Sequence, residues 1–349
     1  MKNLKNVLFI NFGGIGDEIL FFPVLQDFKE VYPDASVTLL LEPRSAGCIQ
    51  LTNLVDHIIK YDVKHTGKVK AFLSLLKILR QGRYEAVISA GSNKFISILL
   101  FLSGIKTSVG YDTGRLSRKL LSTAVPLLKS QYAAKMYHDL LKGVEINKEA
   151  PLPEIIIDNS AIEKAHEYIG ICDKPVIIIH PGVSQLSIQK NIIKSWPEVN
   201  WVELIIKLLN SGKYKVVLCG GPDDQSTIDT IRERLAQHHL DNSNFIDIYG
   251  KTRNLSELAA VIKLSDILCC VDSAPMHVAV GVRTKIVAIF GPTDEKKLLP
   301  EHKDFIALRK DDLSCRPCLW DKQNEVCSTP SCLDIPVSQM ITAIDSFGL

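Results

Sequence analysis

Continuous apolar runs rich in Val, Ile, Leu and Phe alternate with helix-like stretches along this chain, and the alternation happens twice. A strand that is apolar at every position is buried on both faces, a demand met by a parallel sheet with helices on each side. In the first half "NVLFINF", "SVTLLLE" and "YEAVISAG" read as strands. Between and after them, "EILFFPVLQDFKEVYP", "AFLSLLKILRQG" and "KFISILLFLSG" read as helices. The stretch "VEINKEAPLPEIIIDNSA" carries two prolines and little periodicity, and it separates the two series. Beyond it, "PVIIIHPG", "KYKVVLCGG", "SNFIDIYG", "DILCCVD" and "KIVAIFGP" read as strands, and "NWVELIIKLLNSG", "QSTIDTIRERLAQH", "LSELAAVIKLS" and "MHVAVGV" as helices. The expectation is two doubly wound α/β domains, residues 1–150 and 151–349. Such folds bind ligands beyond the carboxyl ends of their strands, which predicts a cleft between the two.

Composition fits this reading. The 349 residues suffice for two ordinary cores, and 46% hydrophobic with 23% charged residues is normal for a globular protein. The net charge of +2 hides an asymmetry. Residues 1–150 hold 20 Lys/Arg against 13 Asp/Glu, and the remainder 21 against 26, so an anionic partner is expected at the first half. No run approaches the roughly 18 apolar residues of a membrane span. The amino terminus lacks the uninterrupted apolar core and small-residue cleavage site of a signal peptide. A cytoplasmic protein is the expectation. Five of the nine cysteines, Cys48, Cys172, Cys219, Cys269 and Cys270, lie in or beside apolar runs and read as buried thiols.

Two turns could carry chemistry. "INFGGIGDEILFFP" places Gly13, Gly14, Gly16 and the acids Asp17 and Glu18 between the first strand and helix. A dinucleotide fingerprint wants G-x-G-x-x-G and an acid after the second strand. Gly14, Gly16 and Glu42 fit, whereas Ile19 takes the third glycine's place and Asp17 puts negative charge where pyrophosphate would lie. Asp17 is therefore a helix cap or a group that moves a proton. In the second half "CCVDSAPMHVAVG" runs from a strand into Asp272, Ser273 and His277, with Pro275 in a first helical turn whose free N–H groups suit an anion. Ser184, Gln185 and Lys194 follow the strand "PVIII", and Asp224 in "GGPDD" follows another. Lys194 could neutralise a phosphate and Asp224 could meet a ribose, or both could belong to ordinary surface loops.

In order along the chain, "GGIGDEILFFPVL", "KSWPE", "VDSAPMHVA" and "FGPTD" resemble glycosyltransferase family 9, the heptosyltransferases that build lipopolysaccharide inner core from ADP-heptose. The resemblance implies a GT-B fold of two Rossmann-like domains facing across a cleft, the acceptor on the first and the sugar nucleotide on the second. It implies that Asp17 is the general base of an inverting transfer and that Lys194 contacts the diphosphate. Ser184, Gln185, Asp224, Asn254, Asp272, Ser273 and His277 would line the nucleotide, with Ala274 replacing the family's usual glycine. Gly14 and Gly16 would lie at the acceptor, and Arg115, Arg118 and Lys119 of "GRLSRK" are candidates to meet its phosphates and carboxylates. The chain contains no D-x-D, the usual metal-binding sequence of other glycosyltransferases, so fixed positive groups are expected to serve the leaving diphosphate in place of a catalytic metal. The implied partners are ADP-heptose or a similar nucleotide sugar and a lipid-linked glycan, reached by transient contact with the inner-membrane surface. No nucleic-acid partner is expected. Another sugar or acceptor (a protein included), a non-catalytic glycan-binding protein, and an NAD-dependent dehydrogenase are the competing readings.

Near the carboxyl end Cys315, Cys318, Cys327 and Cys332 are spaced C-x2-C-x8-C-x4-C. Two cysteine pairs can complete a tetrahedral site, so structural zinc or iron is one expectation, with reduced thiols or disulfides as the others. Cysteine-rich segments also occur in this place in members of the resembled family. "IPVSQMITAI" reads as a last helix, which in GT-B folds often packs back on the first domain.

Overall fold

The computed structural model describes residues 4–171, 173–238, 242–319, 327 and 330–349. Cys172, read above as a buried thiol, lies outside them. The chain divides into two compact units, Met1–Ile156 and Ile157–Leu349.

The first unit holds six strands: β1 Asn6–Ile10, β2 Ser36–Leu41, β3 His57–Lys60, β4 Ala86–Ser89, β5 Thr107–Asp112 and β6 Thr123–Pro126. They form one sheet in the order β3-β2-β1-β4-β5-β6, and every neighbouring pair is parallel. Side chains on β1 alternate between two cores, as strand geometry requires. Leu8 and Ile10 pack with Leu75 and Leu79 of the helix Lys68–Gln81 and with Leu99 and Leu100 of the helix Lys94–Ser103. Phe9 instead meets Phe21 and Phe28 of the helix Ile15–Val31 edge-on, with ring centres 6.0 and 5.0 Å apart.

The second unit repeats the plan with β7 Val176–His180, β8 Lys215–Leu218, β9 Phe245–Asp247, β10 Ile267–Val271, β11 Lys285–Ile289 and β12 Phe305–Leu308. Its order is β12-β11-β10-β7-β8-β9, again wholly parallel. Read from its own first strand, this is the doubly wound order of the first unit. Each sheet therefore reverses strand order next to its first strand, between β1 and β4 and between β7 and β10. Four strands, β3, β5, β6 and β12, were not anticipated by the apolar runs; β3 and β12 are edge strands, and β3 is largely exposed.

The final helix, Val337–Asp345, packs against β11, β12 and the helix Glu198–Asn210 of the second unit. Its apolar face explains the choice: Val337, Met340 and Ile344 join the core that contains Trp196 and Trp201. Trp196 sets the anchor. Its ring meets Trp201 edge-on at 4.8 Å, and its Nε1–H donates to the Ile335 carbonyl at 3.0 Å. Trp196→Ala should remove about 3–5 kcal/mol of stability, the usual cost of truncating a buried aromatic, whereas Val199→Ala at an exposed position should change little. Denaturant titration of both variants checks this.

Candidate active site

Because all strands of each sheet are parallel, their carboxyl ends share one edge, and the candidate residues gather there. In the first unit a four-residue turn joins β1 to the helix Ile15–Val31. A methyl on Gly13 would lie 2.2 Å from Asp17 Cβ, so this turn closes only with glycine there. Gly14 N–H donates to Asp17 Oδ2 at 2.8 Å, and the Tyr137 hydroxyl donates to Oδ1 at 3.3 Å. The amide of Asn11 donates to the Asp17 main-chain carbonyl at 3.2 Å. Asp17 does cap its helix through one oxygen, and the half-buried carboxylate is held from both sides. Burial first and the Asp17 charge second push the Tyr137 phenol well above its ordinary value, so it remains a donor. Gly16 lies in the same first helical turn.

Three neighbours of this turn were not anticipated as site residues. Arg44, just beyond β2, brings its guanidinium within 3.6 Å of where a Gly14 methyl would stand, alongside the Asp17 carboxylate. Buried Glu42 holds it, accepting from Arg44 Nε at 2.6 Å and pairing with Lys64 at 3.3 Å. Glu42 therefore serves two cations rather than a ribose. Tyr137 had no local signal, lying 120 residues from its partner. Glu18 is buried, and neither of its oxygens completes a hydrogen bond. Burial first and Asp17 second raise its pKa well above 4.5, with Asn11 and the Gly13 backbone pulling the other way. On the same sheet edge, beyond β5, Arg115, Arg118 and Lys119 occupy the short helix Arg115–Leu120. Arg118 pairs with Asp112 at 3.5 Å, and all three side chains reach solvent.

In the second unit Lys194 reaches the end of β10. Its Nζ donates to the Asp272 carbonyl oxygen at 2.9 Å and lies 3.3 Å from Asp272 Oδ2. Ser273 is the N-cap of the helix Ala274–Val282, with Pro275 in the first turn. Its hydroxyl turns back to the Val271 carbonyl at 3.3 Å, leaving the helix's first N–H groups without a side-chain cap. His277 is buried on the same helix. From the loop after β7, Ser184 caps the helix Gln185–Gln189, and Gln185 ties that loop to the next through Asp223, N–H to Oδ2 at 3.0 Å and Nε2 to the carbonyl at 3.1 Å.

Two expected nucleoside contacts have protein partners. Asp224 is buried in its own loop, accepting from Gly221 N–H at 2.8 Å and facing His180 at 3.5 Å. A methyl on Gly182 would sit 1.7 Å from Asp224 Oδ1, so the carboxylate fills the space that only glycine leaves. Burial raises the Asp224 pKa and lowers that of His180, each opposed by the other's charge. Asn254 caps the helix Leu255–Lys263, accepting from Glu257 N–H at 2.9 Å.

The four-thiolate metal site, one of the expectations for the cysteine-rich segment, has no support among the described residues. Among the described residues no group of three or more His, Cys, Asp or Glu side chains has an arrangement that could hold a metal ion. Cys332 joins the apolar core beside Gly291 and Leu333, while Cys315 and Cys327 are exposed. Burial first and the charge of Cys318 second raise the Cys332 pKa. The segment between the two cysteine pairs lies largely outside the described residues.

Residues 72–328 match the family described as glycosyltransferase family 9 (heptosyltransferase). The chain is 24% identical over 342 residues to lipopolysaccharide heptosyltransferase 3 of Escherichia coli, covering 95% of each chain. Among solved structures it is similar to the glycosyltransferase family 9 protein of Veillonella parvula, with a TM-score of 0.77, 22% identity and coverage of 99% of this chain and 98% of that one. It is also similar to E. coli heptosyltransferase WaaC with ADP-2-deoxy-2-fluoro heptose, with a TM-score of 0.67, 19% identity and coverage of 97% and 99%.

A buried acid with a raised pKa binds its proton more tightly in the folded than in the unfolded chain, so stability falls as pH rises above the unfolded value. Glu18→Gln should therefore stabilise the protein, with a gain that is small at roughly pH 4 and grows toward pH 8. Denaturation midpoints of both proteins across that range check the sign.

Proposed function

Because the chain belongs to glycosyltransferase family 9 and is a glycosyltransferase, we propose that it moves heptose from ADP-heptose to an inner-core acceptor of lipopolysaccharide with inversion at the anomeric carbon. The observation that carries this reading is the Asp17 carboxylate, fixed in the turn after β1 by Gly14 N–H at 2.8 Å and the Tyr137 hydroxyl at 3.3 Å. A carboxylate held at both oxygens, and still partly open to solvent, is pre-organised to accept a proton. Asp17 takes the proton of the acceptor hydroxyl as that oxygen attacks the anomeric carbon from the face opposite ADP. The C–O bond to the β-phosphate breaks, and its electron pair leaves on the phosphate oxygen.

That departing charge needs stabilisation, and the second unit offers two sources at the end of β10. Lys194 supplies a cation 2.9 Å from the Asp272 carbonyl oxygen, and the helix Ala274–Val282 supplies uncapped N–H groups with the positive end of its dipole. Ser184 and Gln185 border the same strand edge, with Ser273 and His277 on the helix turn itself. Ala274, at the first helical position, narrows the approach to those N–H groups by one methyl relative to glycine. The ADP-heptose donor is supported by the fold shared with a heptosyltransferase solved with an ADP-heptose analogue. On the first unit Arg44, Arg115, Arg118 and Lys119 supply positive charge along the edge that holds Asp17, which suits an acceptor bearing phosphate and carboxylate groups.

Asp17→Asn keeps the shape of the turn and loses the base. Turnover with ADP-heptose should fall by ~10²-fold or more, while the affinity for ADP, measured by calorimetry, stays within about twofold. Turnover near that of the wild type would reduce Asp17 to a helix cap. Lys194→Ala should weaken ADP binding by ~10-fold or more, the range for losing a charged hydrogen-bonding partner, and leave adenosine binding nearly unchanged. Equal losses for the two ligands would remove Lys194 from the diphosphate.

A further inference from the structure

The helix Ala133–His138 carries Tyr137, and it makes a second polar contact with the helix Ile15–Val31 that the reaction proposed above does not use. His138 Nε2 lies 2.8 Å from Asp27 Oδ2, and both residues are buried. Taking an imidazole and a carboxylate out of water is costly unless each meets a partner, and here each is the other's. Asp27 stands ten residues beyond Asp17 on one helix, about 15 Å along its axis. Two neighbouring residues of the short helix therefore grip the long one at two separated points, Tyr137 at Asp17 and His138 at Asp27. A third polar contact comes from the sheet, where the Tyr111 hydroxyl of β5 donates to the Met136 carbonyl oxygen at 2.9 Å. At six residues the helix Ala133–His138 is too short to hold its own shape in water. Buried Leu140 and Leu141, in the turn that continues it, fix where it lies. Apolar contacts have no direction, whereas a hydrogen bond between one nitrogen and one oxygen sets how the helix is rotated.

We propose that His138 and Asp27 are positioning residues for the base: by fixing the rotation of the helix Ala133–His138, their buried pair keeps the Tyr137 hydroxyl on Asp17 Oδ1 and the carboxylate in the pose that takes the acceptor's proton. The inference rests on the reading of Asp17 as the base and assigns a role to two residues that touch no substrate. Without the pair the helix is free to turn, and Tyr137 leaves Oδ1. The Asp17 carboxylate is then held at one oxygen only, by Gly14 N–H. Phe21, edge-on to the Tyr137 ring with centres 5.8 Å apart, keeps that ring packed but does not direct its hydroxyl. A reacting group misplaced by about 1 Å costs up to about a hundredfold in rate. In the same reading the second unit binds the donor, so the loss belongs to turnover and not to ADP affinity.

The test measures turnover of ADP-heptose with an inner-core acceptor, ADP affinity by calorimetry and thermal melting for a set of variants of the full chain. Asp27→Leu with His138→Leu removes the pair and leaves neither partner buried alone. Tyr137→Phe removes one hydroxyl. Each should lower kcat by about tenfold, with ADP affinity within about twofold of the wild type. All three substitutions together should be no slower than the slower of the two, because both remove the same contact to Asp17. His138→Gln, whose amide reaches toward Asp27 as Nε2 does, should recover most of the rate. Lys135→Ala breaks an exposed pair of the same helix with Glu149 and should turn over like the wild type. Losses that multiply in the triple variant overturn the proposal, as does wild-type turnover in the variant without the pair. Tyr137→Phe decides if that variant does not fold, since wild-type turnover in it also overturns the proposal. Full turnover in Asp17→Asn overturns the reaction itself, whereas a slow Asp17→Asn beside a fully active Tyr137→Phe overturns only the role given to His138 and Asp27.

Discussion

A parallel sheet sends every strand out at the same edge and starts the following helix there, so that edge collects helix N-termini and the loops between them. The candidate site follows from that constraint being met twice. In the first unit the exit from β1 must turn directly into a helix, and Gly13 allows it because Asp17 Cβ occupies the space a side chain would need. The same approach puts the Asp17 carboxylate within reach of Gly14 N–H, where an acid complements the helix dipole. Local geometry and the proposed proton transfer thus share one carboxylate. Capping uses Oδ2, and Tyr137 steadies Oδ1 from a helix far along the chain.

The second unit solves the matching problem with opposite charge. There the helix after β10 is left without a side-chain cap, since Ser273 turns its hydroxyl back to Val271, and the Lys194 ammonium stands at the residue before that cap. Lys194 pairs with Asp272, whose side chain is nearly all buried, so the cation is positioned by a partner that cannot follow a ligand outward. In the proposed reaction the diphosphate adds negative charge beside this lysine. Asp224 shows the contrast. It lies at the same edge, fills the space beside Gly182, and is held by Gly221 N–H and faced by His180.

The sequence made legible what local pattern encodes. Eight of the twelve strands among the described residues fall in stretches the apolar pattern marks, and the Asp17 turn and the Lys194 and Asp272–Ser273 pair stand in strings with recognisable spacing. Strands β3, β6 and β12 at sheet edges bury less and need no long apolar run, while β5 is interrupted by Gly110. What stayed hidden was contact across sequence. Tyr137 meets Asp17 only because its helix packs on the one that carries Asp17, and Arg44 arrives from the next strand's exit. The apolar face of the final helix was legible, but the core around Trp196 that it joins, and the bond from Trp196 to Ile335, span some 140 residues of sequence and were not.

The first unit also separates two kinds of positive charge by what surrounds them. Arg44 is fixed by buried Glu42 beside the Asp17 turn, an arrangement that presents one guanidinium in one direction. The lysines of the helices Lys68–Gln81 and Lys94–Ser103 are exposed, make no ion pair with a carboxylate among the described residues, and are interleaved with apolar side chains. Fixed charge suits recognition of one group in one pose, because the orientation has been set before the ligand arrives. Mobile charge over an apolar face suits a fluid surface whose anions have no fixed positions. The helix Arg115–Leu120 belongs to both settings, opening at the carboxyl end of β5 while packing beside the helix Lys94–Ser103. A lipid-linked acceptor makes the same double demand, since its sugar must be held in register with a base while its lipid remains in the bilayer.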